Sequence, residues 1–99
     1  MRLLEIAHSR AGDKGDTSNI SVIAFDSKNY PLLVERVTSE RVAAHFAAIA
    51  TGPVIRYELP NVGALNFVIE GALSGGVTRA LTLDGHGKSL SSLMLDLEI

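Results

Sequence analysis

The sequence predicts an α+β fold in which helices cover one face of a β-sheet. Short runs rich in Ile and Val are bounded by turn clusters, which is typical of strands. Two longer stretches carry apolar residues at helical spacing. The chain has 99 residues, of which 46% are hydrophobic and 20% are charged. This size and composition indicate one soluble domain over residues 1–99.

The first part of the chain predicts two strands joined by a glycine-rich loop. Residues 3–8 alternate weakly and form the first predicted strand, and residues 18–25, rich in Ile and Val, form the second. The loop between them, residues 9–17, is dense in glycine and charge. Pro31 is placed to open a short helix, because its missing N–H costs nothing at a helix N-terminus.

A long helix is predicted over residues 39–50. Thr38 or Ser39 provides the N-cap, and apolar side chains follow on one face at helical spacing. Gly52 and Pro53 then end the helix.

The second half of the chain predicts further strands and another helix. Residues 54–59 predict a third strand, residues 62–73 a second long helix, and residues 77–83 and 93–99 two strands around a hairpin-type turn at 84–88. The predicted order is β-β-α-β-α-β-β. Right-handed crossovers place both main helices on one face of a mixed sheet, which gives a ferredoxin-like two-layer sandwich.

Composition argues against several classes of protein. The net charge is −2, there is no basic run, and aromatic residues make up 5% of the chain, so we expect no nucleic-acid partner. No apolar run reaches the ~18 residues that a membrane span needs. Glu5 interrupts the apolar run that a signal peptide requires. The absence of cysteine excludes disulfides and thiolate metal sites. We therefore expect a cytoplasmic protein with no membrane partner.

The segment HSRAGDKGDTSNIS, residues 8–21, is the strongest candidate for a binding site. Its glycines let the backbone approach a ligand closely, its cations suit a carboxylate or phosphate, and successive N–H groups in a loop form an anion-binding concavity. The candidate ligand-binding residues of this segment are Arg10, Gly12, Asp13, Lys14, Gly15, Asp16, Thr17 and Asn19. The alternative is a solvated turn in which Arg10 and Lys14 only pair with the two aspartates.

His8 is the candidate for catalysis. Its ordinary pKa lies near neutrality, so it could act as a general base; the alternative is a histidine hydrogen-bonded to its own loop. His8, Asp13 and Asp16 are acceptable metal ligands but follow no established spacing, so we predict no metal. The segment also lacks the residue order of a phosphate-binding P-loop, and no cofactor is expected.

Several segments resemble the C-terminal domain of acyclic terpene utilisation (AtuA) family proteins. They are HSRAGDKGDTSNISVIAF, TSERVAAHF, RYELPNVGALNFVIEGALSGGVTRAL, LDGHGK and LDLEI, which cover nearly the whole chain. The resemblance implies a ferredoxin-like domain, here made as a separate polypeptide, in the breakdown of acyclic terpenoids beside acyl-CoA enzymes. It implies a separately encoded large subunit as partner. It also adds Arg56 and Asn66 to the ligand-binding candidates, although Arg56 could simply pair with Glu58.

A subunit interface is predicted on the second long helix. Gly63, Phe67 and Gly71 are spaced four residues apart, away from the helix's apolar core face. Because glycine within a helix costs roughly 1 kcal/mol relative to alanine, their presence indicates close approach of another backbone. Either a second copy of the chain or the large subunit would meet this surface; the alternative is close packing within the monomer.

The leading hypothesis is an accessory domain or small subunit in terpenoid or acyl-CoA-type catabolism that binds an anionic small molecule, a carboxylate or acyl-CoA, at residues 8–19. One alternative is a non-catalytic module for oligomerisation or for docking the large subunit. The other is a stand-alone lyase or hydrolase that uses His8.

Overall fold

The chain forms a four-stranded sheet with helices packed against one face. The computed structural model describes residues 1–14, 17–47, 52–70 and 90–99. The strands and α-helices of these residues are β1 (Ala7–Lys14), β2 (Thr17–Ala24), α1 (Tyr30–Arg36), α2 (Ser39–His45), β3 (Val54–Leu59), β4 (Ala64–Glu70) and α3 (Leu90–Leu95). The predicted α+β two-layer architecture is confirmed.

The sheet is made of two hairpins placed side by side. Its strand order is β1-β2-β4-β3. Lys14 lies opposite Thr17 in the first hairpin, and Leu59 lies opposite Ala64 in the second. Strands β2 and β4 pair antiparallel and join the hairpins at the centre of the sheet. The four described strands are therefore antiparallel throughout, where mixed pairing was expected, because each hairpin places sequence neighbours beside each other.

The glycine-rich segment is a strand rather than a loop. Residues Leu3–Glu5, expected in the first strand, form a 3-10 helix, and β1 begins only at Ala7. It continues through Lys14, so the predicted loop over residues 9–17 is wrong. Strand β2, rich in β-branched residues, pairs with it at every position from Ala7 to Lys14. Only residues 15 and 16 separate the paired strands, and both lie outside the described residues.

The second predicted helix is also wrong, because residues 64–70 form β4. Leu65, Phe67 and Ile69 are buried at every second position, which is the period of a strand. The chain enters β4 through a 3-10 turn that ends at Gly63, whose φ of 62° favours glycine. The apolar spacing that suggested a helix is shared by a short buried strand.

Residues Leu90–Leu95 form helix α3, so the strand expected over residues 93–99 is wrong as far as Leu95, and beyond it only Glu98 makes an isolated β-bridge, with Arg2. Leu90 and Met94, one helical turn apart in α3, are both buried. Beyond α3 the chain meets its N-terminus, where the Leu3 N–H donates to the Leu97 carbonyl at 2.8 Å. The strand predicted at 77–83 and the turn at 84–88 lie outside the described residues.

The two helices between the hairpins confirm the predicted caps. Pro31 lies in the first turn of α1. The Thr38 hydroxyl accepts a hydrogen bond from the Arg41 N–H at 3.1 Å and so caps α2. Helix α2 ends at His45, earlier than predicted, and residues 48–51 lie outside the description. In the part of the chain that the structure describes, no helix is long and apolar enough to cross a membrane.

The core lies between the sheet and the helices. Each layer contributes side chains that are fully or almost fully buried: Ile20 and Val22 from β2; Leu65, Phe67 and Ile69 from β4; and Leu33, Val42, Phe46 and Met94 from the helical layer. This packing covers one face of the sheet. The residues with binding chemistry are found mainly on the other.

Candidate functional site on the open face of the sheet

The face of the sheet turned away from the helices, called here the open face, takes alternate residues from all four strands. The strand register aligns these residues in rows that run across the sheet. The central row is Arg10, Ser21, Asn66 and Tyr57, and the next row towards residues 15 and 16 is Gly12, Asn19, Val68 and Ile55. These two rows therefore combine the Arg10 cation, the amides of Asn19 and Asn66, the hydroxyls of Ser21 and Tyr57, and the apolar side chains of Val68 and Ile55.

The central row is polar from one edge of the sheet to the other. The Ser21 hydroxyl donates to the Asn66 side-chain oxygen at 3.3 Å in a partly buried position. The Arg10 side chain is exposed, and its guanidinium forms no ion pair or hydrogen bond with any side chain that the structure describes. Because neighbouring strands lie ~4.8 Å apart, the backbone of Arg10 lies about 10 Å from that of Asn66 and about 14 Å from that of Tyr57 along the row.

An open depression of about 720 Å³ lies beside Arg10 on this face. Its lining contains Arg10, Ala11, Gly12, Thr17, Asn19, Ser21 and Val68. The guanidinium, hydroxyl and amide groups can donate hydrogen bonds to an anion, and Val68 provides an apolar wall. Gly12 adds to the space, since nothing lies within 4 Å of where its Cβ would stand.

The structure gathers most of the described members of the predicted binding segment. Arg10, Gly12, Thr17 and Asn19 line the depression, and Asn66 lies beside Ser21 in the central row. Asp13 and Lys14 belong to β1, but their side chains, like Gly15 and Asp16, lie outside the description. The expected loop of converging N–H groups is absent from Arg10 to Lys14, because successive N–H groups of an extended strand point to opposite edges.

Arg56, a predicted ligand-binding residue, does not lie on the open face beside Arg10. It faces the helices, where its Nη1 donates to the carbonyl oxygens of Val34 at 2.8 Å and Val37 at 2.9 Å. Its Nη2 pairs with the Glu58 carboxylate at 3.1 Å. The alternative of an Arg56–Glu58 pair is confirmed, and the guanidinium also satisfies carbonyls at the C-terminal end of α1.

Tyr30 lies at the start of α1, near the same pair. Burial raises the pKa of Tyr30, and the Glu58 carboxylate raises it further, while the Leu59 backbone and the Arg56 cation act in the opposite direction.

The helical surface predicted from Gly63, Phe67 and Gly71 does not exist in that form. Phe67 is fully buried in the core of the chain. Gly63 closes the turn before β4, and Gly71 lies outside the described residues. With no helix at residues 64–70, the spacing of these three residues no longer indicates an interface.

His8 lies on the open face, one row beyond Arg10. It is exposed, and its ring stacks on Phe25 with 5.5 Å between the ring centroids and 22° between the planes. His8 and Arg10 are two residues apart along β1, so their Cα atoms lie about 7 Å apart. A part for His8 in proton transfer stays a prediction.

Sequence reasoning missed Ser21, Tyr57, Ile55 and Val68 as members of this face. One signal was available. If Gly15-Asp16 is taken as a two-residue hairpin connection, counting outward from it pairs Gly12 with Asn19 and Arg10 with Ser21, as observed.

The fold and this face define a small α+β domain whose antiparallel sheet is covered by helices on one side and open on the other. The chain belongs to the AtuA ferredoxin-like domain family, whose model matches residues 1–99. No curated protein and no solved structure matches it significantly. The resemblance seen in the sequence motifs is thereby confirmed.

Proposed function

We propose that this domain binds an anionic small molecule, a carboxylate or an acyl-CoA, in the depression beside Arg10. The observation that carries the proposal is an exposed guanidinium on a concave face with no acidic partner among the described residues. A guanidinium binds a carboxylate or phosphate through two parallel hydrogen bonds, and charge-assisted bonds of this kind are the stronger ones. The binding site is thus the open face of β1 and β2 rather than a loop.

The surroundings of Arg10 suit a ligand with a charged head and an apolar tail. Thr17 and Asn19 offer further donors beside the head. Val68 and Ile55 continue the same row towards β3, and Ile55 is 42% exposed. An aliphatic chain could lie across the strands over these two residues. Glu70, an exposed carboxylate on this face, lies two strands across and four residues along from Arg10, about 17 Å away by strand geometry and too far to neutralise it by contact.

The wider role that we propose is that of an accessory domain or small subunit in terpenoid or acyl-CoA-type catabolism. Membership of the family supports this role, because the AtuA resemblance implies that pathway. A separately encoded large subunit and a cytoplasmic location belong to the same proposal. The observation that supports the location is the absence of cysteine from the chain.

A second candidate function is a module that docks another protein without binding a small ligand. Ile55, Tyr57 and Leu59 favour it, since these apolar or aromatic side chains are 42%, 51% and 43% exposed along one strand. A stand-alone lyase or hydrolase that uses His8 remains the third hypothesis, and it predicts a change in the ligand rather than binding alone.

Thermal denaturation with octanoate and with octanoyl-CoA tests the proposal. Saturating ligand stabilises the folded chain by RT ln(1 + [L]/Kd), about 2.7 kcal/mol at a hundredfold excess. We expect Arg10→Met to weaken binding by roughly tenfold or more, the equivalent of one charge-assisted hydrogen bond. The matched control is Arg36→Met, which removes an exposed arginine of α1 whose Glu35 contact is 3.8 Å long.

The outcomes separate the candidates. Loss of binding in Arg10→Met but not in Arg36→Met supports the proposal. No stabilisation by either compound, or equal weakening in both variants, contradicts it. Co-purification of an AtuA-like large protein with a chain that binds neither compound favours the docking function. Conversion of octanoyl-CoA that is lost in His8→Ala favours the enzyme.

A further inference from the structure

Strand β3 carries a sequence that is complementary to itself. Residues 55–59 are Ile-Arg-Tyr-Glu-Leu, with apolar residues at both ends, opposite charges inside them and an aromatic residue at the centre. We propose that β3 pairs antiparallel with β3 of a second copy of this chain, about a two-fold axis through Tyr57. Two four-stranded sheets would then join into one continuous sheet.

The register about Tyr57 matches each side chain of residues 55–59 with a suitable partner. Arg56 lies opposite the partner's Glu58, and Glu58 opposite the partner's Arg56, both on the helix-covered face. Tyr57 lies opposite the partner's Tyr57, and Ile55 opposite the partner's Leu59, both on the open face. Directly opposed side chains have Cβ atoms about 4.5–5.5 Å apart, where opposite charges and aromatic pairs stabilise a sheet.

Other registers lose this complementarity. A shift of one residue would set the open face of one copy against the covered face of the other. A shift of two residues would place Arg56 opposite the partner's Arg56, or Glu58 opposite the partner's Glu58. Like charges in direct opposition are destabilising. The sequence of β3 therefore specifies one pairing register.

The edge of β3 is suited to such pairing. Among the described strands it pairs only with β4, at the end of the sheet. Natural edge strands are commonly protected by lysine, proline, a bulge or inward-pointing charges. Val54–Leu59 contains no lysine or proline, and its register with β4 runs without interruption. Its two inward-facing charges, Arg56 and Glu58, pair with each other at 3.1 Å. Pro53 and Pro60 stand directly outside the strand and limit the pairing to its length.

The strand edge that pairs is separate from the charged end of the proposed ligand site. Strand β1, which carries Arg10, lies at the opposite end of the sheet from β3, although the proposed apolar end of the site reaches Ile55 of β3. Arg10→Met therefore tests octanoate binding without touching the dimer, and the β3 cross-links test the dimer without octanoate. A single strand pair buries less than the ~800 Å² per partner of a standard interface, so we expect a dimer with a dissociation constant on the order of micromolar.

Disulfide trapping tests the register directly, because the chain has no cysteine. Directly opposed residues of antiparallel strands have Cα atoms about 4.5–5.5 Å apart, within the ~4.4–6.8 Å that a disulfide spans. We expect Tyr57→Cys to form a covalent dimer under mild oxidation. Ile55→Cys is the matched control, since its two copies would stand about 13 Å apart along the strands. A mixture of Ile55→Cys and Leu59→Cys is expected to cross-link.

Two results of that experiment would overturn the proposal: a Tyr57→Cys chain that stays monomeric, or an Ile55→Cys chain that cross-links with itself as readily. Circular dichroism of each variant confirms that it is folded.

Sedimentation equilibrium provides a second measurement without cysteine. We expect the unaltered chain to dimerise with concentration and Tyr57→Lys to stay monomeric, because two lysines would meet on the axis. An equimolar mixture of Tyr57→Lys and Tyr57→Glu should restore dimers. Val62→Lys, at a site 65% exposed just outside β3, is the control and should dimerise normally. A monomeric unaltered chain, or a Tyr57→Lys chain that dimerises normally, rejects the β3 pairing.

Discussion

Replacing Arg56 with methionine removes the most heavily bonded cation among the described residues. The guanidinium donates to two carbonyl oxygens at the end of α1 and to Glu58. Arg56→Met keeps the apolar stem of the side chain and removes all three contacts. The carbonyls of Val34 and Val37 then lose a charged donor beside the negative end of the helix dipole.

The expected loss follows from these contacts. A hydrogen bond to a charged group contributes about 1.5–3 kcal/mol, and the Arg56 side chain is only 19% exposed. Because water can partly reach the freed carbonyls, we take the two backbone contacts together as about 2–4 kcal/mol. The Glu58 contact, with a carboxylate that is 51% exposed, adds at most ~1 kcal/mol. The melting temperature should fall by roughly 10–25 °C in a domain of this size.

Urea unfolding followed by circular dichroism measures this change, in dilute solution where the chain is monomeric. Glu58→Gln is the control, because it removes only the exposed ion pair and should cost no more than ~1 kcal/mol. Octanoate affinity should be unchanged in both variants, since Arg56 faces the helices. If Arg56→Met is no less stable than Glu58→Gln, the contacts to the helix carbonyls do not stabilise the fold and the reasoning fails.

Three further predictions concern the packing of Phe67, the turn at Gly63 and the titration of Tyr30. Phe67→Ala should cost about 3–5 kcal/mol in urea unfolding, because the ring is fully buried; a loss below ~1 kcal/mol would contradict its place in the core. Gly63→Ala should destabilise the fold by about 1–2 kcal/mol because of its φ of 62° alone, since the added Cβ would meet open space. Gly12→Ala is the control, because Gly12 lies in an extended strand with equal space, and it should be neutral or stabilising. Equal effects of the two substitutions would refute the left-handed turn at Gly63. The raised pKa of Tyr30 means that the unfolded state releases the phenolic proton first, so the free energy of unfolding should fall as the pH rises above 10.0. Tyr30→Phe should lessen that fall, and an unchanged pH profile would refute the assignment.

The sequence predicts α1, α2 and strand β3 correctly, because the cap, proline and alternation patterns that indicate them are local. Thr38 caps α2 through its own side chain, and Pro31 lies in the first turn of α1. Strand β4 was missed because a short apolar run suits a helix as well as a buried strand. Pairing with β2 and β3 on both sides decides between them, and such long-range pairing is not visible in local periodicity.

The candidate site was predicted in residue type but not in geometry. The sequence predicts Arg10, Thr17 and Asn19 as hydrogen-bond donors to a ligand near the glycines, and all three line one depression. Their arrangement depends on the register of β1 with β2, which also brings in Ser21. The contacts of Arg56 with α1 could not be predicted, because strand alternation separates its face from that of Tyr57 without saying which face the helices cover.

The glycine-rich segment is a paired strand, and the anion that we propose for Arg10 binds on the open face of the sheet. Amide chemical-shift mapping by NMR with octanoate tests this most directly. We expect perturbations along β1, β2 and β4 around Arg10, Asn19 and Val68, little change in α1 and α2, and loss of the pattern in Arg10→Met. Perturbations centred on the helices, or a pattern that survives Arg10→Met intact, would contradict it.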